Sequence, residues 1–456
     1  HFVPAYCEDS DLAFRVRAAG LEAYYTPFSE VIHHEGISHG TDTGVGIKAY
    51  QVANQKKLAE RWKAELASHF ENGQHVMRAR DRAYERPVVL VVDHYVPQPD
   101  RDAGSRTMAA FIDRLLEHGV QVKFWPDNLH YDTDYVRALQ AKGVEVIYGH
   151  VWLGKFRDYL RQNGAELDAV LLSRPHVADQ YLEALRELTN ARIVYYGHDL
   201  HFRRLAQEAE VRGDADLRSK AVHAEQQERR AWREADVTLY PSEEEAADVR
   251  SLESQVDARA IIPYAFDQFE RPGSASERND VLFVAGFAHG PNVDAARWLV
   301  NDVMPKVWAR LPAMRVMLVG SNPTAEVKGL ASDRVEVTGY VSDDTLLRHY
   351  RQARLAVVPL RFGAGVKSKV VEALQQGLPL VTTPTGAQGL PAVEAVCDVV
   401  DSAEQIAESI IRLATDDARW MERSHSGSAY AERLFSRETM ACTLLDAMGL
   451  TRKETP

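Results

Sequence analysis

From residue 87 onward the chain alternates between short apolar runs and stretches whose apolar positions recur at helical spacing. Residues 88–92 (VVLVV) are a continuous β-branched run, and a helix over 107–118 closes at Gly119. Strands at 120–124, 144–148, 169–172, 192–196 and 237–240 follow, separated by helices at 135–142, 156–162, 178–188 and 217–235. The segment 261–271 is irregular, and 274–279 is small, polar and linker-like. The alternation then restarts. Strands are predicted at 281–285, 315–319, 335–338, 355–359 and 379–383, and helices at 293–309, 343–351, 366–376 and 403–415. Continuous apolar strands alternating with helices predict parallel sheets covered on both faces. Two such sets, with a break near residue 275, predict two doubly wound α/β domains whose ligands sit beyond the carboxyl ends of strands.

The first eighty residues read differently. Polar clusters precede a helical stretch at 48–77, and the charged run 78–82 is a linker candidate. The chain opens at His1 in the middle of a motif and reads as a fragment of something longer. The predicted domains are 1–83, 84–273 and 274–456, with the last helix returning to the middle domain.

Composition narrows the function. The chain has 456 residues and 45% hydrophobic residues, ample for packed cores. A formal net charge of −12 argues against a nucleic-acid partner. Three widely spaced cysteines, Cys7, Cys397 and Cys442, fit neither a zinc site nor a disulfide framework and suggest a reducing, cytoplasmic compartment. No apolar run reaches the length of a membrane span.

Three loops carry candidate chemistry. In 357–374 (VVPLRFGAGVKSKVVEAL) a strand gives way to small residues and then a helix. The first helical turn offers free backbone N–H groups and a positive dipole end, and Lys367 and Lys369 add charge. Glu372 falls one turn after Ser368 and can accept two hydrogen bonds from a ribose diol. Read alone, this is equally an ordinary strand-to-helix turn with a solvated lysine pair. In 281–293 (VLFVAGFAHGPNV), Gly286 and Gly290 flank the loop after the first strand of the second set, with His289 between them, a usual place for a phosphate. In 377–390 (GLPLVTTPTGAQGL) a third strand leads into a small-residue loop.

Together with Val319-Gly320-Ser321 and Val337-Thr338-Gly339-Tyr340-Val341, these segments resemble the second domain of family 4 retaining glycosyltransferases, which have the GT-B fold of two facing Rossmann-like domains. The resemblance runs from about residue 281 to 435. It implies that Glu372 binds the nucleotide ribose and that Gly363, Gly365, Val366, Lys367 and Lys369, with Gly286 and His289, hold the donor. Ala364 stands where many members carry a glutamate, which shifts donor recognition toward backbone groups and Lys369. In the first domain, Asp102, Gly104 and Ser105 lie where members have a glycine-rich loop near the diphosphate and acceptor. His198 matches a histidine that approaches the transferred sugar, and Asp199 could orient it. The alternative is that both residues cap the following turn.

At the N-terminus, Glu8-Asp9-Ser10-Asp11 followed by His33-His34 resembles the end of a family 2 glycosyltransferase domain of GT-A fold. By that match Asp9 is the base that deprotonates the acceptor, and His33 or the adjacent His34 helps hold a metal–diphosphate. The nucleotide-binding half of such a domain is absent from this sequence, so the segment is expected to be an inactive remnant, α/β or mainly helical.

The expected function is retaining transfer of a hexosyl or deoxyhexosyl group from a nucleotide-diphosphate sugar to a hydroxyl of a carbohydrate or glycolipid acceptor. Cell-surface polysaccharide or O-antigen synthesis is the implied setting, at the cytoplasmic face of the membrane through a lipid-linked acceptor. No cofactor or metal is expected in the GT-B unit, and a divalent metal only in an intact GT-A domain. The alternatives are a non-catalytic sugar-nucleotide-binding or scaffold module, and a sugar-nucleotide epimerase.

Overall fold

A computed structural model of the chain describes every residue except 1, 4–5, 22, 24–28, 33–48, 82, 364 and 452–456. The chain divides into two compact units, His1–Glu85 and Arg86–Pro456. His33, His34 and Ala364 lie outside the described residues.

The first unit is helical among its described residues: Glu8–Ala18, Ala49–Arg61, Lys63–Leu66 and Val76–Arg80. The single helix expected over 48–77 is broken at Trp62 and after Leu66. Arg78, Ala79 and Arg80 of the charged run end the short helix Val76–Arg80, anchored by the buried Met77, just before the division between the two units. Asp11, 4% exposed, holds the unit together by accepting from Trp62 Nε1 at 2.8 Å and pairing with Arg15 and Arg61 at 3.1 and 3.4 Å.

The second unit contains two parallel sheets. The first comprises β1 (Val88–Asp93), β2 (Gln121–Pro126), β3 (Glu145–Val146), β4 (Ala169–Ser173), β5 (Arg192–Tyr196), β6 (Val237–Tyr240) and β7 (Ala258–Ala260), ordered β3-β2-β1-β4-β5-β6-β7. The second comprises β8 (Asn279–Val284), β9 (Val316–Val319), β10 (Val335–Gly339), β11 (Ala353–Val358), β12 (Leu380–Thr382) and β13 (Asp398–Val399), ordered β10-β9-β8-β11-β12-β13. Every pairing within the two sheets is parallel. Both sheets therefore have the doubly wound order, which reverses direction between β1 and β4 in one and between β8 and β11 in the other.

The central strands are buried on both faces, as their unbroken apolar runs require: β1 reads VVLVVD and every residue is buried. The stretch expected as one helix at 293–309 is helical throughout, but Leu299–Val303 forms a π-helical segment between Gly290–Trp298 and Met304–Trp308. Helix Asp417–Phe435 ends at Ser436, and helix Arg437–Ala447 packs Met440, Leu444 and Ala447 into the core of the first sheet. The chain thus crosses between the two domains twice, near 261–278 and at 435–437. There Phe266 N–H donates to Phe435 O at 2.8 Å and ties the two crossings together.

Candidate active site

At the switch point of the second sheet, a cleft of 390 Å³ opens beyond β8 and β11, lined among others by Gly286, Asn292, Ser321, Tyr340, Lys369 and Glu372. Helix Ser368–Gln375 supplies its basic and acidic groups. Val370, Val371, Ala373 and Leu374 face the core, which leaves Ser368 and Lys369, and Glu372 four and three residues after them, on the cleft face. Lys369 Nζ donates to Asn292 Oδ1 at 2.9 Å, and Asn292 Nδ2 donates to Gly286 O at 2.8 Å. The lysine is thereby pinned to the loop after β8. Tyr350, 3% exposed, donates its hydroxyl to Glu372 Oε2 at 3.2 Å. Burial raises the Glu372 carboxyl above its ordinary range, against the pull of Tyr350 and Lys369. Burial also lowers the Lys369 ammonium, which Glu372 partly restores.

The loops around this cleft are tightly constrained. Gly320 has φ 150° and passes so close to β8 that a Cβ there would lie 1.8 Å from Ala285 O. This close approach brings Ser321 into the cleft. On the other side, Thr382 Oγ1 donates to Val358 O at 2.8 Å, and Thr383 donates to Leu360 O. The Thr-Thr turn therefore braces the chain that leads into the 363–369 loop.

The expected donor residues do not all share one role. Lys369, Glu372 and Gly286 line the cleft. His289 is the exposed N-cap of helix Gly290–Trp298, where its backbone carbonyl accepts from Asn292 N–H at 3.0 Å, and its side chain is not in the lining. Gly363 and Gly365 are exposed and Val366 is half-buried in the adjoining loop. Lys367 is buried and turns its ammonium onto Gly365 O, and burial, aided by Lys369, lowers its pKa to about 8. Across the domain boundary, Glu244 accepts from Gly389 N–H at 3.3 Å.

The switch point of the first sheet gathers a second set of groups. His198 follows β5 with φ 60° and Arg174 follows β4 with φ 73°, both in the left-handed region that costs a non-glycine residue energy. His198 Nε2 is 2.7 Å from Ser173 Oγ. Arg174 Nε donates to Asp93 Oδ1 at 2.8 Å, and Asp93 is 2% exposed. Gly104 fits beneath both: a Cβ there would lie 2.9 Å from Arg174 Nη2 and 3.2 Å from His198 Cε1. Burial pushes the His198 imidazole down to about 4, with Arg174 adding to the shift and Asp93 opposing it. The ring is therefore neutral at ordinary pH.

Two groups of expected residues find their partners here. Asp199 does not hold His198. Its carboxylate pairs with His201 Nδ1 at 2.6 Å and accepts from Arg204 Nε at 2.7 Å. Asp102 and Ser105 bond to each other as a helix cap, with Ser105 N–H and Oγ donating to the Asp102 carboxylate at 2.7 and 2.6 Å, and Tyr95 adds a third hydrogen bond at 2.8 Å. Arg203 pairs with Asp248. Asp9 is exposed in the first turn of Glu8–Ala18 and accepts from its neighbour Ser10 N–H at 2.7 Å. Sequence reading missed Asp93, Ser173, Arg174 and Asn292. Each is the first polar residue at or after a strand end or sits in a capping turn, and nothing in the local pattern separates it from an ordinary cap. Among the described residues, no group of three or more His, Cys, Asp or Glu is placed to hold a metal ion, and no helix is long and apolar enough to cross a membrane.

Two parallel sheets of this order, each with polar groups gathered at its switch point, define the GT-B fold. The comparisons agree. Residues 278–416 match the family model described as Glycosyl transferases group 1. Sucrose-phosphate synthase from Thermosynechococcus elongatus superposes with a TM-score of 0.54 at 17% identity, covering 79% of this chain and 98% of that one. Anabaena HepE in complex with UDP-glucose gives a TM-score of 0.50 at 14% identity, covering 80% and 100%. WaaG, a glycosyltransferase involved in lipopolysaccharide biosynthesis, gives 0.50 at 17% identity, covering 79% and 100%. No curated protein matches the sequence. Together these findings support a glycosyltransferase of GT-B fold.

Proposed function

We propose that residues 86–456 form a retaining glycosyltransferase that moves a hexosyl or deoxyhexosyl group from a nucleotide-diphosphate sugar to a hydroxyl acceptor. The observation that carries this reading is the placement of Lys369 and Glu372 on one helix face, opening into the cleft at the second switch point. In this reading Glu372 holds the ribose hydroxyls. Lys369, Lys367 and the backbone of Gly363, Gly365 and Val366 stabilise the leaving diphosphate, an electrostatic contribution that acts where negative charge develops. No carboxylate nucleophile is assigned, and the leaving phosphate assists front-face displacement. His198 is a neutral imidazole fixed by Ser173, and it stands on the acceptor side as a hydrogen-bonding partner of the transferred sugar. The likeness to WaaG supports a role in cell-surface polysaccharide or O-antigen synthesis, with a lipid-linked acceptor met at the cytoplasmic face of the membrane. Asp9 and His33 take no part.

The test is to incubate the full chain with a panel of nucleotide-diphosphate sugars and measure release of free nucleoside diphosphate. Release with at least one donor is expected. Binding of nucleotide with no turnover of any donor would overturn the enzymatic reading in favour of a non-catalytic sugar-nucleotide-binding module.

A further inference from the structure

A second pocket, also of 390 Å³, lies in the first domain between the helices Pro175–Leu188, His201–Arg212 and Ala215–Glu234. Its polar lining is His176, His201, Ser219, Lys220, His223 and Gln227. Among the described residues the lining contains no carboxylate, in a chain whose formal net charge is −12. The arginines around it are mostly paired, as Arg203 with Asp248 and Arg204 with Asp199. Lys220 and His223, by contrast, have no hydrogen-bond or ion-pair partner among the described residues, and both are exposed.

We propose that this pocket binds the phosphate group of a phosphate-bearing acceptor through His176, His201, Lys220 and His223. The donors come from three helices, so they converge from different directions. That arrangement suits the tetrahedrally disposed oxygens of a phosphate, whereas a planar carboxylate is best met by the parallel fork of an arginine. Lys220 and His223 are one turn apart on one helix and act as a pair. His201 is the member whose charged form its neighbours favour. Burial works against its protonation, but Asp199 at 2.6 Å and Glu228 at 3.9 Å outweigh burial and raise its pKa. His176 shifts the other way through burial and Arg174. The volume exceeds what a bare phosphate fills and leaves room for the moiety that carries it. β5 delivers both His198 and, three residues later, His201, which sets the pocket beside the candidate reaction centre. The assignment of the phosphate to the acceptor rests on the glycosyl-transfer reading; the anion site does not.

Histidine-edited NMR of the full chain, titrated with inorganic phosphate and separately with chloride at fixed ionic strength, tests the site. The His176, His201 and His223 resonances should shift saturably with phosphate and not with chloride. The double variant Lys220→Ala, His223→Ala should weaken phosphate binding about tenfold or more. Its affinity for UDP, read by calorimetry, should stay within about twofold. Equal shifts with chloride, shifts confined to the second domain, or unchanged phosphate affinity in the variant would each overturn the site. Glucose 6-phosphate and vesicles containing phosphatidic acid then separate a soluble sugar phosphate from a lipid phosphate. Binding of either supports the acceptor assignment, and binding of neither overturns it. Because UDP binding is measured in parallel, failure of this pocket is distinguishable from failure of the donor site.

Discussion

Glu372 is the residue on which the proposed donor site stands, and its removal has two separable consequences. If its carboxylate accepts two ribose hydroxyls, each charge-assisted bond contributes about 1.5–3 kcal/mol. The two share one group and do not add fully, so Glu372→Ala should cost about 2–4 kcal/mol of nucleotide binding. That corresponds to a roughly 30- to 1000-fold weaker Kd. The fold responds independently. Tyr350 is 3% exposed and its hydroxyl loses the acceptor at 3.2 Å, a cost of about 1–3 kcal/mol. Loss of a carboxylate that burial already disfavours offsets part of this. Glu372→Gln separates the two effects, because the amide oxygen still accepts from Tyr350 while the charge is gone. The expected pattern is a measurable fall in melting temperature for the alanine variant and little for the glutamine variant, with both impaired in UDP binding by titration calorimetry. If both variants are folded and bind UDP within about twofold of the parent, the site has been misplaced.

The remaining predictions concern protons. His198→Asn should reduce turnover about a hundredfold or more while leaving UDP affinity intact, the size expected for a group that acts on the reacting sugar; parent-like turnover would remove His198 from the site. Because the folded imidazole titrates at about 4, the unfolded chain binds a proton that the native state does not between there and about 6.5. This residue's contribution therefore makes stability rise with pH across that window, and a denaturant series on His198→Asn should show that slope reduced. Lys367 loses its charge as pH rises through about 8 in the free protein, so UDP affinity should fall above that pH, and Lys367→Arg should flatten the profile. Coincident profiles would place Lys367 away from the diphosphate. Glu228 is fully buried and burial raises its carboxyl from 4.5 to about 7. The native state thus holds a proton that the unfolded chain releases above 4.5, and stability falls as pH rises toward 7, by roughly 3 kcal/mol at most. Glu228→Gln should gain relative to the parent between pH 5 and 8 in chemical denaturation, and a pH-independent difference would refute this.

The alternating sheet architecture was legible because buried parallel strands leave an unmistakable pattern. The runs at 88–92 and 192–196 coincide almost fully with β1 and β5. The short edge strands Ala258–Ala260 and Asp398–Val399 were not legible, since two or three residues carry no periodicity and their pairing is set by the neighbouring strand. Helix Ala103–Glu117 begins four residues before the expected start at 107, because Asp102 caps a first turn whose Ala-Gly-Ser sequence lacks apolar spacing. Lys369 and Glu372, singled out in the sequence, do line one cleft, because their spacing on one helix face is a local property. The sequence could not identify Asn292 or Arg174. Asn292 reaches Lys369 across 77 positions and Arg174 reaches Asp93 across 81, and such pairings exist only after the sheet has formed. The same holds for Asp199, whose adjacency to His198 in sequence does not make it that ring's partner.

The two half-sites differ in how their charge is held, and this bears on how the domains work together. On the proposed donor side Lys369 and Glu372 are partly desolvated; Asn292 holds the lysine, Tyr350 holds the carboxylate, and the two charges also stabilise each other. On the other side the Arg174 guanidinium is already paired with a buried Asp93, and removing either partner would leave an uncompensated charge costing about 3–5 kcal/mol. Arg174 is therefore better suited to holding the ends of β1 and β4 together than to exchanging partners during turnover. Away from the crossings, the hydrogen bond between Glu244 and Gly389 is 3.3 Å long and involves an exposed carboxylate. A contact of that kind is worth about 1 kcal/mol. The two chain crossings at 261–278 and 435–437 bear the covalent connection, so parting of the domains to admit a donor would break weak contacts while leaving each half-site intact. Rigid half-sites joined by a weak contact are what a reaction needs when two substrates must bind separately and then be aligned.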